Sequence, residues 1–268
     1  MNEPSNTEKA TDALGGSAGT VELDVASNHV AVIEFNNPPI NYFDADLITA
    51  IADACDSAYR QDARVIILRS GGTVFCAGAE FGLQPASEMD PAPLYQVALR
   101  LFRQPLPMIA AIQGAAIGGG LGLALAADFR IASTQAKFSV NFAQIGIHHG
   151  FGLSATLPKV VGQQESMNLL YTGERIKAPR AHHVGLVDQI CEPDELAAAT
   201  RDYAERIAGA APLAVQSIRR TLRGGLADEV AAAVAHERAE QRKLFLTDDF
   251  AEGVAAVGER RPAHFNGQ

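Results

Sequence analysis

Three consecutive glycines, residues 118–120, stand between a short apolar segment at 108–112 and a run of leucine and alanine at 121–127. The apolar segment is typical of a buried strand, and the small residues after the glycines favour a helix buried on nearly all sides. The first amide groups of such a helix have no intrahelical acceptor, and the helix dipole adds partial positive charge there. This turn could therefore stabilise a developing oxyanion.

A second loop of small residues, 74–81, follows the β-branched segment 64–69, and its backbone amides could also face a ligand. Each loop has a purely structural alternative. The triple glycine also suits close packing of a strand against a helix, and the second loop suits an ordinary turn with a glycine at positive φ. Phosphate binding is not indicated, because Leu123 stands where a Gly-x-Gly-x-x-Gly motif needs its third glycine and no Walker A motif is present.

The composition is that of a globular chain able to bury a large core in one or two domains. Hydrophobic residues make up 47% of the 268 residues, and the formal net charge of −9 speaks against a nucleic-acid partner. The three widely spaced cysteines favour a reducing compartment, so we expect a cytoplasmic protein. No apolar run approaches the roughly 20 residues that cross a membrane. Residues 1–18 are predicted to be a disordered leader.

Strands and helices alternate along the first part of the chain, which predicts an α/β fold with a mainly parallel sheet covered by helices. The predicted strands are 21–25, 30–35, 64–69, 108–112, 128–133 and 137–140, and the predicted helices of this part are 45–59, capped by Asp44, and 91–103. Further helices are predicted at 153–161, 163–171, 179–183, 193–208, 212–222 and 227–246, with an extended piece at 186–190. The later helices suit covering the sheet or packing against another subunit.

Several short motifs follow one another in a specific order: Asn37-Pro-Pro-Ile-Asn41, Phe75-Cys-Ala-Gly-Ala-Glu80, Ile117-Gly-Gly-Gly120, Thr172-Gly173 and Glu259-Arg-Arg-Pro262. Together they resemble the crotonase, or enoyl-CoA hydratase/isomerase, superfamily. The resemblance implies a crotonase-like ββα spiral core at residues 19–200 and a helical C-terminal region at 201–268 for trimerisation. It also implies a homotrimer or homohexamer.

The resemblance further implies an acyl-CoA thioester as substrate, with no cofactor beyond its coenzyme A moiety. In this superfamily two backbone amides polarise the thioester carbonyl, and they fall here on Ala79 and Gly119. Such donors stabilise an enolate oxyanion. Glu80, Phe81 and Gly82 are expected to bind the substrate beside them.

The chain departs from the superfamily at both glutamates that hydratases use to activate water, because Gly122 and Phe142 stand at those positions. Neither residue moves a proton, and Phe142 is expected to line the acyl pocket instead. His148 and His149 stand near the place where isomerase relatives carry an acid, so they are the tentative acid/base groups. Packed loop histidines are the alternative interpretation of this pair.

Other reactive side chains have simpler interpretations. His182 and His183 lack a third ligand at suitable spacing, so no metal site is predicted. Ser154 narrowly misses a nucleophile elbow and suits helix capping, and Cys76 suits a small buried filler. Two functions follow from the sequence: an acyl-CoA enzyme with non-standard acid/base groups, or a catalytically inactive acyl-CoA carrier or sensor. A structural subunit that binds no CoA is a third possibility.

Overall fold

The computed structural model describes residues 14–15, 19–80 and 88–268 of the chain. Its strands are β1 (Leu14–Gly15), β2 (Thr20–Val25), β3 (Val30–Asn36), β4 (Val65–Ser70), β5 (Met108–Ile112), β6 (Ala115–Ile117), β7 (Phe129–Ser133), β8 (Lys137–Ser139), β9 (Ile176–Lys177) and β10 (Gln189–Cys191). Its α-helices are α1 (Ala45–Arg60), α2 (Ala92–Arg103), α3 (Gly119–Ala126), α4 (Leu153–Val161), α5 (Gln163–Thr172), α6 (Ala178–His183), α7 (Leu196–Ala208), α8 (Pro212–Leu222), α9 (Leu226–Leu244) and α10 (Asp248–Glu259). A 3-10 helix spans Asn141–Ile145.

The main sheet has the strand order β1-β2-β3-β4-β5-β7-β10. The pairs from β3 to β10 are parallel, whereas β1, β2 and β3 pair antiparallel, which confirms the predicted hairpin and the mainly parallel α/β fold. Of the predicted leader, only Leu14–Gly15 is described, and it adds an edge strand through pairing with Val21 and Thr20. The remainder of the leader lies outside the described residues.

A second, three-stranded sheet has the order β6-β8-β9. Strands β6 and β9 were not predicted, because three and two residues give no readable alternation of apolar and polar side chains. Residue Cys76 bridges to Ala116 at the edge of this sheet. The small sheet therefore joins the loop after β4 to the glycine turn before α3.

Apolar side chains explain the helices that cover the main sheet. In α1, Leu47, Ile48 and Ile51 are buried, and the Asp44 carboxylate accepts a hydrogen bond of 2.8 Å from the Leu47 amide, as the sequence predicts. All eight residues of α3 are buried, which confirms the helix enclosed on every side. Its glycines and alanines permit this close approach of neighbouring backbones.

The C-terminal helices differ from the prediction in their boundaries. Helix α9 ends at Leu244, and a further helix, α10, follows it; the sequence had not shown this helix. Its start is fixed by the Thr247 hydroxyl, which accepts a hydrogen bond from the Phe250 amide. The extended piece predicted at 186–190 is shorter and later, because only Gln189–Cys191 pairs with β7.

Helix α8 packs little of its surface against the rest of the chain, and none of its residues is buried. It is held by Arg219 and by the next residue after the helix, Arg223, which form ion pairs of 2.9 and 2.7 Å with Asp128. Leu213 and Leu222 of this helix are 79% and 80% exposed. Among the described residues, every helix is too short or too polar to span a bilayer.

Candidate active site

The two glycine loops meet because a short backbone ladder joins them. The Cys76 amide donates to the Ala115 carbonyl at 3.0 Å, and the Ile117 amide donates to the Cys76 carbonyl at 2.9 Å. A Cβ atom on Gly120 would lie 2.2 Å from the Cys76 carbonyl oxygen, so only glycine allows this contact. The ladder and the missing side chain bring residues 76–79 against the start of α3.

Gly78 and Gly118 shape the turns on either side of this contact. Gly78 has a φ of 87°, and Gly118 has a φ of 55°. Residues other than glycine rarely adopt a positive φ. A Cβ on Gly78 would stand 3.1 Å from the Gly119 nitrogen. Gly118 donates its amide to the Ser139 carbonyl at 2.8 Å, which fixes the first turn of α3 against β8.

Ala79 and Gly119, the predicted oxyanion donors, line one cavity of about 560 Å³. Within the described part of the chain, neither amide donates a hydrogen bond to a protein acceptor. The Gly119 amide is the first of α3, where the helix dipole adds partial positive charge. The structure thus brings Ala79 and Gly119, whose amides have no acceptor among the described residues, from two distant loops to one cavity wall.

The cavity wall is rich in aromatic side chains, namely Tyr42, Phe43, Tyr95, Phe142, Phe151 and Phe245. Phe142 therefore lines the same cavity as Ala79 and Gly119, and its contact with an acyl group stays a prediction. Glu80 also lines the cavity and is exposed. Burial and the charge of Glu80 both raise the pKa of Tyr42. Phe81 and Gly82, the other predicted substrate-binding residues, lie outside the described residues.

Gly122 and Phe142, the residues expected at the hydratase glutamate positions, both lie in closely packed surroundings. A Cβ on Gly122 would lie 2.8 Å from the Cβ of Phe151. Phe151 has a φ of 61°, which is uncommon for an aromatic residue, and its ring packs at 5.2 Å from the ring of Phe43. Phe142 is 6% exposed and approaches Gly118. Aromatic rings thus pack closely beside Gly118 and Gly122 at the start of α3.

The loop that carries Phe151 is supported from α2 and α9. Tyr95 donates its hydroxyl to Gln241 Oε1 at 2.8 Å, and Gln241 donates to the His148 carbonyl at 3.0 Å. Glu237, with 0% exposure, accepts from the amides of Gly152 and Ser154 at 2.8 and 2.9 Å. Burial raises the pKa of the Glu237 carboxyl. The expectation that Ser154 caps α4 is wrong, because the carboxylate from α9 accepts these amides.

His148 and His149 do not line the cavity, although the next two residues do. Their rings stack at 4.1 Å instead of pointing in different directions, and His149 Nε2 lies 2.8 Å from the Ser154 hydroxyl. Burial and the nearby His148 and His236 lower the pKa of His149 to about 3, so it is a weak base. Their acid/base role stays a prediction that this placement does not support.

The remaining candidates take structural positions. Burial raises the pKa of the Cys76 thiol to about 12, which suits the buried filler and not a nucleophile. His182 and His183 are exposed on α6. No group of three potential metal ligands occurs among the described residues.

Sequence reasoning missed three polar residues of the cavity, Tyr95, Gln241 and Arg175. Tyr95 and Gln241 are 146 positions apart, so no local spacing could connect them. Arg175 stands two residues after the Thr172-Gly173 motif. The motif drew attention to this part of the sequence, but it did not indicate that Arg175 lines the cavity.

The sequence is similar to those of known enoyl-CoA hydratases. Residues 25–268 match the family described as enoyl-CoA hydratase/isomerase. The (E)-benzylidenesuccinyl-CoA hydratase of Thauera aromatica is 36% identical over 254 residues, covering 92% of this chain and 99% of the relative. The crotonyl-CoA hydratase of Syntrophomonas wolfei is 35% identical, with 88% of this chain and 94% of the relative covered.

Solved structures share the whole fold. A crystal structure of an enoyl-CoA hydratase/isomerase from Pseudoalteromonas atlantica T6c has a TM-score of 0.82 at 29% identity and covers 92% of this chain and 99% of its own. A methylmalonyl-CoA decarboxylase in complex with 2-nitronate-propionyl-CoA has a TM-score of 0.79 at 28% identity, with 95% and 100% covered. By family match, relatives and fold, this chain belongs to the enoyl-CoA hydratase/isomerase family of the crotonase superfamily.

Proposed function

We propose that the protein is an acyl-CoA enzyme that holds a thioester carbonyl between the amides of Ala79 and Gly119. The observation that carries this proposal is the pair of free amides, from loops about 40 residues apart in sequence, that line one cavity. The relatives named as hydratases and as a decarboxylase are named for CoA thioesters. This agrees with a thioester as the ligand of this chain.

The two amides would stabilise the negative charge that moves onto the carbonyl oxygen when an enolate forms. Donors fixed before the reaction stabilise this charge most, because they need no reorganisation. Removal of one such donor typically raises the barrier by about 3 kcal/mol, which is on the order of a hundredfold in rate. The aromatic wall would exclude water from the acyl group.

Proton transfer would use a group other than the hydratase glutamates. Glu80 is the only carboxylate among the described residues that line the cavity, and it directly follows the donor Ala79. We therefore assign proton transfer to Glu80 in preference to His148 or His149, which lie off the cavity. The reaction would be an isomerisation, a decarboxylation, a hydrolysis or a slow hydration.

Turnover of crotonyl-CoA and of a longer enoyl-CoA, followed by loss of enoyl absorbance, tests this function. Gly119→Pro removes the amide proton at the first position of α3, where proline fits a helix. Gly119→Ala is the matched control, because it adds a Cβ at the same place, 2.6 Å from Phe43, but keeps the amide. We expect kcat/KM of the proline variant to be about a hundredfold below that of the alanine variant. Equal kcat/KM in the two variants would show that the amide takes no part.

A catalytically inactive acyl-CoA carrier or sensor is the second candidate. The packing of Phe151 against Gly122 favours it, because no room remains there for a carboxylate. Tight binding of acyl-CoA without turnover of enoyl-CoA thioesters or of a malonyl-type thioester would support the carrier. Turnover at physiological substrate concentration would exclude it.

A further inference from the structure

The cavity carries a full charge at two places along its described wall. Glu80 lies beside the proposed oxyanion donors, and Arg175 lines the wall together with Val257 and Gly258 of α10. The other described lining residues are apolar or neutral. The wall at Glu80 is called here the acidic end of the cavity, and the wall at Arg175 is called the basic end.

Strand pairing gives the separation of Arg175 from Ile117, the last residue of β6 before the glycine turn. Strand β6 pairs with β8, so that Ile117 stands opposite Ser139. Strand β8 pairs with β9 in turn, which places Arg175, just before Ile176, next to Ser139. Neighbouring strands are about 4.8 Å apart, so the Arg175 backbone lies roughly 10 Å across the sheet from Ile117. Gly119 follows Ile117 by two residues. An acyl chain of moderate length can therefore extend from a thioester at Gly119 to the Arg175 side chain.

Arg175 is exposed and forms no ion pair or side-chain hydrogen bond with any described residue. The acid beside it in sequence, Glu174, is already bound by Arg180 at 2.9 Å and by Asn168 at 2.7 Å. Lys177 is exposed on the same strand but does not line this cavity. Arg175 is therefore a guanidinium at the cavity wall whose donors are free for a ligand.

We propose that Arg175 binds a carboxylate at the far end of the acyl group, so that the substrate class is a CoA monothioester of a dicarboxylic acid. This inference rests on the proposed function, because it takes the thioester to lie at Ala79 and Gly119. A guanidinium donates two parallel hydrogen bonds to a carboxylate. The aromatic side chains that line the cavity suit the apolar carbons, and the charge of Glu80 repels a carboxylate from the neighbourhood of Ala79.

Isothermal titration with hexanoyl-CoA and adipoyl-CoA tests the assignment, because these ligands have the same chain length and differ only in the terminal carboxylate. The variants are Arg175→Gln and, as the matched control, Lys177→Gln, which removes the same charge from the same strand. We expect Arg175→Gln to weaken adipoyl-CoA binding about tenfold and hexanoyl-CoA binding less than about twofold. Lys177→Gln is expected to leave both affinities unchanged.

The other outcomes separate the possible ligands. Equal weakening of both ligands by Arg175→Gln would show that the arginine binds a group common to both, such as a phosphate of CoA, and would overturn the proposal. Unchanged affinities would show that the arginine is merely solvated, which also overturns it. Failure of the unmodified protein to bind either hexanoyl-CoA or adipoyl-CoA would contradict the proposed function itself and the inference with it.

Discussion

The cost of replacing Gly122 by alanine is expected to depend on Phe151. The added Cβ would lie 2.8 Å from Phe151 Cβ and 2.9 Å from Phe151 Cδ1. Because the clashing Cβ is attached directly to the backbone, a rotamer change cannot remove the contact, and the loop that carries Phe151 must shift. That shift is resisted by the hydrogen bonds that Glu237 accepts from the following residues.

The magnitude follows from two opposing effects. Overpacking of a buried site typically costs about 1–3 kcal/mol. Alanine in place of glycine inside a helix contributes about 1 kcal/mol of stability. In the Phe151→Gly background the clash disappears and only the helix effect remains. Gly122→Ala should therefore be less favourable in the unmodified protein than in Phe151→Gly by about 1–3 kcal/mol.

Urea unfolding followed by far-ultraviolet circular dichroism measures this coupling, since the chain has no tryptophan. Gly258→Ala in α10 is the control, because no neighbouring residue in the described part of the chain comes within 4 Å of its added Cβ, and it should stabilise by about 0.5–1 kcal/mol. The same effect of Gly122→Ala in both backgrounds would refute the close packing of Phe151 against Gly122.

Three further predictions concern other parts of the molecule. Glu237→Ala leaves two amides at the start of α4 without their acceptor, so it should lower the free energy of unfolding by about 2–4 kcal/mol in urea titrations. Glu237→Gln should lower it by less. An unfolding free energy equal to that of the unmodified protein within error would contradict the capping role of Glu237. The native pKa of His149, about 3, lies below its ordinary 6.5, so the unfolded state binds more protons and stability falls as pH drops from 6.5 towards 3. The melting temperature of His149→Gln should therefore fall less than that of the unmodified protein between pH 7 and pH 4, whereas exposed His182→Gln should follow the unmodified protein. Leu222→Asp on the exposed face of α8 should reduce the molar mass by light scattering from that of a trimer or hexamer, and an unmodified protein that is already monomeric would exclude this role.

The fold could be predicted to a large extent because its signals are local. Buried β-branched segments, the Asp44 cap and the small residues after the glycine turn each indicate one element. Strands of two or three residues carry no period. The prediction of one helix at 227–246 missed α10, although Thr247 and the acidic residues after it are a local start signal. Domain boundaries and the oligomeric state stay predictions.

For the candidate site, too, local motifs could be recognised in the sequence, whereas contacts between distant residues could not. Ala79 and Gly119 could be named from the order of short motifs that resembles the superfamily, and each follows a glycine at positive φ, Gly78 and Gly118. The direction in which the loop at 148–151 turns depends on Glu237 and Gln241, almost 90 residues later, so the sequence could not show that its histidines face away from the cavity. The same holds for Arg175, whose contact with the cavity follows from the pairing of β8 and β9.

The central claim is that the amides of Ala79 and Gly119 polarise a thioester carbonyl, and infrared spectroscopy of a bound ligand measures this directly. An acyl-CoA with carbon-13 at its thioester carbonyl gives a carbonyl band that isotope editing separates from the protein. The stretching frequency should fall on binding to the unmodified protein and to Gly119→Ala, and should fall less in Gly119→Pro. A carbonyl band at the same frequency in the bound and free ligand would contradict the account.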